Sequence, residues 1–319
     1  MGLHVLSTLR ARLGSAHIGW LVEDRFASVL EGHPQIDTLH IYQRKRMLRP
    51  AGIAAFGGLV REIRGAQYDV VLDLQANLKS GILGALSGAR RRLSPAPPLS
   101  KEGNSFFVTE SLPAQGVHRI DAYRSLIDAI APTRAPDEGL GGSAVLHSNA
   151  TDHGSILLHA GVSGFGSFKR WPAEAFGELA TRLARHLDRP VLLTAGPGER
   201  EQAQQVVNAT DAKVANATII EPKNLRALID TLAGAHLVVA ADTGPAHIAA
   251  ATGVPTLTLF GPKDPTVLAP LGPKTATVRA GVRCSPCTLR ACPDPICMSQ
   301  LTVDQVERSA LDLLGEVGA

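Results

Sequence analysis

The apolar run Leu237-Val238-Val239 leads through a short polar turn, Asp242-Thr243-Gly244-Pro245, directly into alanine-rich sequence. A second apolar run, Pro255 to Phe260, follows, and then the polar loop Gly261-Pro262-Lys263-Asp264-Pro265. Buried strand, tight turn, helix and buried strand make a βαβ unit, which needs a parallel sheet covered by helices. Thr243 is expected to cap the new helix with its hydroxyl. Gly244 is expected to turn the chain sharply and let a ligand approach the backbone. Pro245 suits the first helical position, where a missing N–H costs nothing. The free amides of such a helix start, with the helix dipole behind them, favour a phosphate or diphosphate.

The same alternation runs along the whole chain. Strands are expected at 18–22, 38–42 and 70–74 in the first half, with helices at 5–13, 24–31, 57–65, 77–87 and 119–130. In the second half they are expected near 155–160, 190–195, 217–221, 236–241 and 255–260, and Val303 to Val317 reads as a closing amphipathic helix. The segment 131–150 carries Pro132, Pro136, Gly139, Gly141 and Gly142 with little apolar pattern and reads as a linker. The expected architecture is α/β: two Rossmann-like domains, 1–140 and 141–319, facing across a cleft, with ligands at the carboxyl ends of the strands. Aromatic residues are only 4% of the 319, so both cores must rest on aliphatic side chains.

A net charge of +3 is too small for general nucleic-acid binding. The first 150 residues hold 17 Lys and Arg against 13 Asp and Glu, with basic clusters at 44–46 and 90–92. These read as solvated loop charge or as contacts to an anionic acceptor or anionic lipid head groups. Neither a membrane-spanning stretch nor a secretory signal is visible, which predicts a cytoplasmic protein, at most peripheral to a membrane.

Three further segments carry chemistry-bearing residues. His159 to Pro172 combines small residues with Lys169 and Arg170 after a strand, followed by Trp171. Ala195-Gly196-Pro197-Gly198-Glu199 ends the next strand and opens a helix, with Glu201 close behind. Asp73-Leu74-Gln75-Ala76-Asn77-Leu78-Lys79-Ser80 ends a strand of the first half; Asp73 could also cap the following helix. Four cysteines, Cys284, Cys287, Cys292 and Cys297, lie within fourteen residues. Their spacing fits neither common zinc nor ferredoxin patterns, and reduced thiols, a structural zinc and disulfides stay open.

The stretch DTGPAHIAAATGVPTLTLFGPKDP, Asp242 to Pro265, closely resembles glycosyltransferase family 9, the ADP-heptose:lipopolysaccharide heptosyltransferases. The likeness extends over nearly the whole chain. It implies a GT-B-type architecture and transfer of a heptose or related sugar from an ADP-sugar donor to the lipopolysaccharide inner core, with no further cofactor. It places Ser163, Lys169, Asp242, Thr243, Gly244 and His247 around the donor, and Glu199 or Glu201 on the nucleoside. It places Asp73, Gln75, Lys79 and His118 on the acceptor side, and contact with the inner face of the cytoplasmic membrane follows from such an acceptor. Family members begin with a strand and a loop whose Gly-Asp pair supplies the general base. Val5 to Arg10 already fits the helix after that loop, so this chain is expected to bind ADP but to transfer sugar very slowly or not at all, with a less stable first domain. A nucleotide-sugar epimerase of the same architecture and a non-catalytic ADP-sugar-binding relative are the rival expectations.

Overall fold

The computed structural model describes residues 2–47, 52–133, 146, 148, 150, 154–162, 164–289 and 291–315. The chain divides into two units, Met1–Leu140 and Gly141–Ala319. The linker expected at 131–150 lies largely outside the described residues.

The strands of the first unit form two separate parallel sheets. One pairs β1 (Gly19–Glu23) with β2 (Thr38–Tyr42); the other runs β3 (Val70–Leu72), β4 (Arg91–Pro95), β5 (Glu110–Leu112). Helices Gly2–Arg12, Gly52–Gly65, Leu78–Leu86 and Arg119–Asp128 accompany them. Leu59, Ile63 and Leu83 form one buried cluster, beside Tyr42, Phe56 and Tyr68. Polar locks supplement this modest apolar packing. The almost fully buried Arg12 guanidinium donates to Asp128 Oδ1 at 2.7 Å and to the Ala131 carbonyl at 2.6 Å, tying the helix Gly2–Arg12 to the end of Arg119–Asp128.

The strands β4 and β5 differ from the sequence expectation. The basic cluster at 90–92 opens a strand rather than a charged loop. Arg91 forks onto the Glu110 carboxylate at 2.8 and 2.9 Å, and Arg92 donates to the carbonyls of Phe107 and Ala89. These two arginines are therefore committed within the fold rather than held out for an anionic partner.

The second unit is one six-stranded parallel sheet, in the order β11-β10-β9-β6-β7-β8. Its strands are β6 (Ile156–His159), β7 (Val191–Thr194), β8 (Ala217–Ile220), β9 (Leu237–Ala241), β10 (Thr256–Leu259) and β11 (Thr275–Val278). The apolar runs become strands because successive side chains serve opposite helix-covered faces. Ile156, Leu158, Val191, Leu193, Leu237, Val239, Leu257 and Leu259 face one core, shared with Phe176, Leu179 and Leu183 of helix Ala173–Leu187 and with Val306 and Ala310 of helix Val303–Leu314. Leu157 and Val238 face the other, against Leu232 of helix Leu225–Ala233 and Ala249 of helix Gly244–Thr252. Each fully buried aliphatic side chain here contributes roughly 1.5–3 kcal/mol.

Chain order from β6 runs outward through β7 and β8 on one side, then returns to β9, β10 and β11 on the other. The reversal falls between β6 and β9, which pair directly, with His159 opposite Ala240. In an open parallel sheet that crevice at the carboxyl ends is where ligands bind.

Candidate functional site

The loops leaving β6 and β9 meet at this switch point. The β6 loop ends in a short 3-10 turn, Gly164–Lys169, and the Lys169 ammonium reaches the Asp242 carboxylate just past β9 at 2.5 Å. The same nitrogen donates to the Asp242 carbonyl at 3.2 Å. The Asp242 carboxylate thus pairs with the cation of the neighbouring loop, and His247 Nε2 lies 4.0 Å from its other oxygen. Trp171 is core: it is buried, donates from Nε1 to the Leu301 carbonyl, and packs edge-on against Phe176. It thereby anchors the chain directly after Lys169 and Arg170.

The helix Gly244–Thr252 starts as the sequence suggests, with Thr243 in extended backbone at the cap position and Pro245 in the first turn. The cap itself differs. The Thr243 hydroxyl turns back to donate to the Ala241 carbonyl at 3.1 Å and makes no hydrogen bond to the helix amides. Those first-turn N–H groups therefore stay without a side-chain cap, which suits an anion. Of the two roles expected of Gly244, the geometry departs from the sharp turn. Its backbone needs no positive φ, and a Cβ there would meet nothing within 4 Å. The glycine keeps space open rather than making the turn possible.

Beside this cation–amide site lies a recess of about 350 Å³ lined by Val162, Arg170, Gly198, Glu199, Glu201, Gln202 and Gln205. Glu199 and Glu201, which the sequence could not separate, play different parts. The Glu199 side chain is largely buried and its Oε2 accepts from the Gly196 amide at 2.7 Å. A Cβ at Gly161 or Gly196 would run into its carboxylate, so two glycines are needed for it to sit there. Glu201 is exposed in the first turn of helix Arg200–Ala209, on the lining of the same recess. Beneath both, the buried Gln202 amide donates to the Ala160 carbonyl. Ser163 lies outside the described residues.

In the first unit the expected acceptor-side residues separate into scaffold and surface. Asp73 is buried; its Oδ1 accepts from the amides of Gln75 and Ala76, and its Oδ2 accepts from Asn104 Nδ2 at 2.7 Å. Asn77, rather than Asp73, caps helix Leu78–Leu86, in a capping box with Ser80. His118 caps helix Arg119–Asp128, its Nδ1 accepting from the Ile120 amide while Asp121 accepts from the His118 amide. Gln75 is exposed. The Lys79 ammonium sits 4.8 Å above the Tyr42 ring and donates to Glu23 Oε1 at 2.6 Å.

Glu23, which closes β1, joins the Lys79 cluster. Besides Lys79 it faces Arg25 at 3.0 Å and Arg44 at 4.0 Å. The Lys79 hydrogen bond, aided by the charges of Lys79, Arg25 and Arg44, holds its carboxyl below the usual range despite partial burial. Lys45 and Arg46 point to solvent.

The four cysteines are free thiols, from exposed Cys284 to buried Cys297, and among the described residues no group of three or more His, Cys, Asp or Glu side chains could hold a metal ion. Burial raises the Cys297 thiol, helped by the neighbouring cysteines, which disfavours its thiolate.

Comparison with known proteins places this geometry. Residues 57–296 match the model of glycosyltransferase family 9 (heptosyltransferase). Lipopolysaccharide heptosyltransferase 1 of Pseudomonas aeruginosa is 28% identical over 287 residues, covering 86% of this chain and 78% of the relative. The enzyme of the same description from Escherichia coli K12 is 26% identical, covering 87% and 89%. Among solved structures, an Escherichia coli heptosyltransferase with ADP superposes with a TM-score of 0.77 at 21% identity, over 98% of this chain and 96% of that one. Escherichia coli ADP-heptose lipopolysaccharide heptosyltransferase II gives 0.73 at 19%, over 99% and 95%. At these identities the superpositions establish the fold.

Proposed function

The chain belongs to glycosyltransferase family 9, and from that premise we propose that it transfers a heptose from an ADP-linked donor to the lipopolysaccharide inner core. The observation that carries this reading is the meeting of Lys169, the uncapped helix start at 243–245 and the 350 Å³ recess at one topological switch point. A nucleotide-sugar donor needs those three things. Breaking the glycosidic bond leaves growing negative charge on the diphosphate, and cations and amides fixed beforehand stabilise that charge as it develops.

In this reading the adenosine occupies the recess, with Glu201 accepting from the ribose hydroxyls and Arg170 at the recess wall. The diphosphate takes the amides of the Gly244–Thr252 helix. Lys169 exchanges its Asp242 partner for phosphate oxygen, which frees the Asp242 carboxylate for the hydroxyls of the donor sugar. His247 stands beside them. The first unit takes the acceptor, with Gln75 and Lys79 at the carboxyl ends of its strands available to sugar hydroxyls and anionic groups. Asp73 and His118 support that surface by fixing the turns beneath it. No cofactor beyond the donor is needed. No described helix is long and apolar enough to cross a membrane. The proposed setting is the cytoplasm, peripheral to the membrane that carries the acceptor, with Lys45 and Arg46 available to its head groups.

The test combines transfer and binding. The protein is expected to release ADP from ADP-heptose only when a lipopolysaccharide core acceptor is present. Lys169→Ala is expected to weaken ADP far more than adenosine, because only ADP carries the diphosphate, and to lower the transfer rate by about 10²–10³-fold. Equal losses for ADP and adenosine would remove Lys169 from the diphosphate. Donor consumption without acceptor would point to an epimerase instead.

A further inference from the structure

Behind Glu199 on the recess wall lies a buried polar residue that the donor reading does not use. His159 is the last residue of β6 and is buried. Its Nδ1 lies 3.0 Å from Thr194 Oγ1 and 3.2 Å from the Thr194 carbonyl, at the end of β7. The ring also hydrogen-bonds the backbone at Gly161, and its Nε2 points toward Glu199 Oε2 at 3.9 Å. That carboxylate oxygen is the one that accepts from the Gly196 amide. One imidazole thus borders three pieces of chain: the loop leaving β6, the end of β7, and Glu199 at the end of the turn 195–199.

Burying an imidazole beside a carboxylate costs free energy that an aliphatic pair would not. The other three β6 residues, Ile156, Leu157 and Leu158, show what this strand carries where only packing matters. The polar exception falls at the one end of the strand that borders the recess, and its partner Glu199 lines the recess. Two glycines, Gly161 and Gly196, clear the space for that carboxylate.

We propose that His159, acting through Glu199, is a positioning residue for nucleoside binding: it locks the 195–199 turn so that the recess is shaped before the ligand arrives. Nδ1 is held at Thr194 and Nε2 faces Glu199. The ring therefore orients the carboxylate without touching the ligand. Glu201, two residues on, is then presented at a fixed place in the first turn of its helix. The inference rests on the reading that this recess takes the nucleoside, and it adds a residue which that reading leaves in the core.

The experiment compares adenosine, ADP and inorganic pyrophosphate by calorimetry on the full chain, in wild type, His159→Leu, His159→Gln, Glu199→Gln and the His159→Leu/Glu199→Gln double variant. His159→Leu is expected to weaken adenosine and ADP by the same factor, about tenfold, while pyrophosphate is unchanged. Glu199→Gln is expected to do the same, and the double variant to be no worse than either single, since both break one lock. His159→Gln keeps an N–H donor and is expected to recover most of the loss. If His159→Leu does not fold, the contrast between His159→Gln and Glu199→Gln decides. Full adenosine affinity in every folded variant overturns the proposal. So does a pyrophosphate loss as large as the adenosine loss, which would mean general loosening. A wild type that binds pyrophosphate but no adenosine overturns the nucleoside reading itself, and the proposal with it.

Discussion

The two units solve the same folding problem differently. In the second, β6, β9 and β10 are buried at every position, and six strands form one continuous sheet. In the first, β1, β2 and β3 are mostly half-buried, and five strands are divided between sheets of two and three. The second unit rests on apolar packing of its sheet, with the pairs Lys169–Asp242 and His159–Glu199 added at the switch point. The first holds its loops with individual polar links: Arg12 on Asp128, Asp73 on Asn104, Glu23 among Lys79, Arg25 and Arg44. A site built on a packed sheet is preorganised by many small contributions. A site built on separate polar links depends on each of them.

The most damaging way to break the comparison is to open the second core. Phe176 is fully buried among Leu158, Leu179 and Leu183, and Phe176→Ala is expected to cost about 3–5 kcal/mol, read by denaturant unfolding. ADP affinity of the surviving folded fraction is expected to stay close to wild type, because Phe176 lies in the core and lines neither the recess nor the 242–247 turn. In the first unit the smaller change is expected to act more locally. Asp73→Ala leaves two amides and the Asn104 side chain without their partner and is expected to cost about 1–3 kcal/mol. Hydrogen exchange is expected to show that cost at residues 73–77 and 104, with β6 and β9 unaffected.

Gly244→Val separates binding from folding. Its Cβ enters open space, so the melting temperature is expected to hold. ADP affinity is expected to fall at least about tenfold, roughly 1.4 kcal/mol. Unchanged ADP affinity would take the diphosphate off this turn.

The smallest expected effect is on pH. Burial pushes the His159 imidazole below its usual 6.5, only partly offset by Glu199 and the backbone bonds. The unfolded chain then takes up a proton near pH 6.5 that the folded chain refuses, so this residue's contribution to stability declines as pH falls below about 6.5 and levels off below the folded value. Melting temperatures of wild type and His159→Gln, compared between pH 7.5 and 5.5, are expected to converge toward acid. A constant difference would mean that the ring does not titrate differently in the two states.

What the sequence revealed follows the same division. Buried parallel strands announce themselves as apolar runs, so every inner strand of the second unit was legible. β11, Thr275-Ala276-Thr277-Val278, is an edge strand that alternates polar and apolar residues and gave no such run. β4 begins with two arginines whose charges are met by Glu110 and by carbonyls far along the chain, which no local pattern reports. The DTGPAH turn was legible as a helix start. The direction of the Thr243 hydroxyl was not, because cap preference does not say which neighbour a hydroxyl chooses. Lys169 and Asp242 were each visible as candidates, but their contact spans 73 residues of sequence and needs the sheet to exist. The different surroundings of Glu199 and Glu201 depend on Gly161 and Gly196, which crowd only Glu199.

The Lys169–Asp242 pair also bears on how a ligand arrives. Around the recess and its phosphate end stand two cations, Lys169 and Arg170, and three carboxylates, Asp242, Glu199 and Glu201. With the lysine already neutralised at 2.5 Å, an approaching dianion meets little long-range attraction; its reward comes only within a few ångströms, once the internal pair opens. Under the proposed donor reading, association is expected to be gated by a local exchange of partners rather than drawn in by a surrounding field. The on-rate for ADP is expected to change little with ionic strength, whereas the dissociation rate, which depends on the lysine–phosphate contact replacing the internal one, carries most of the salt dependence.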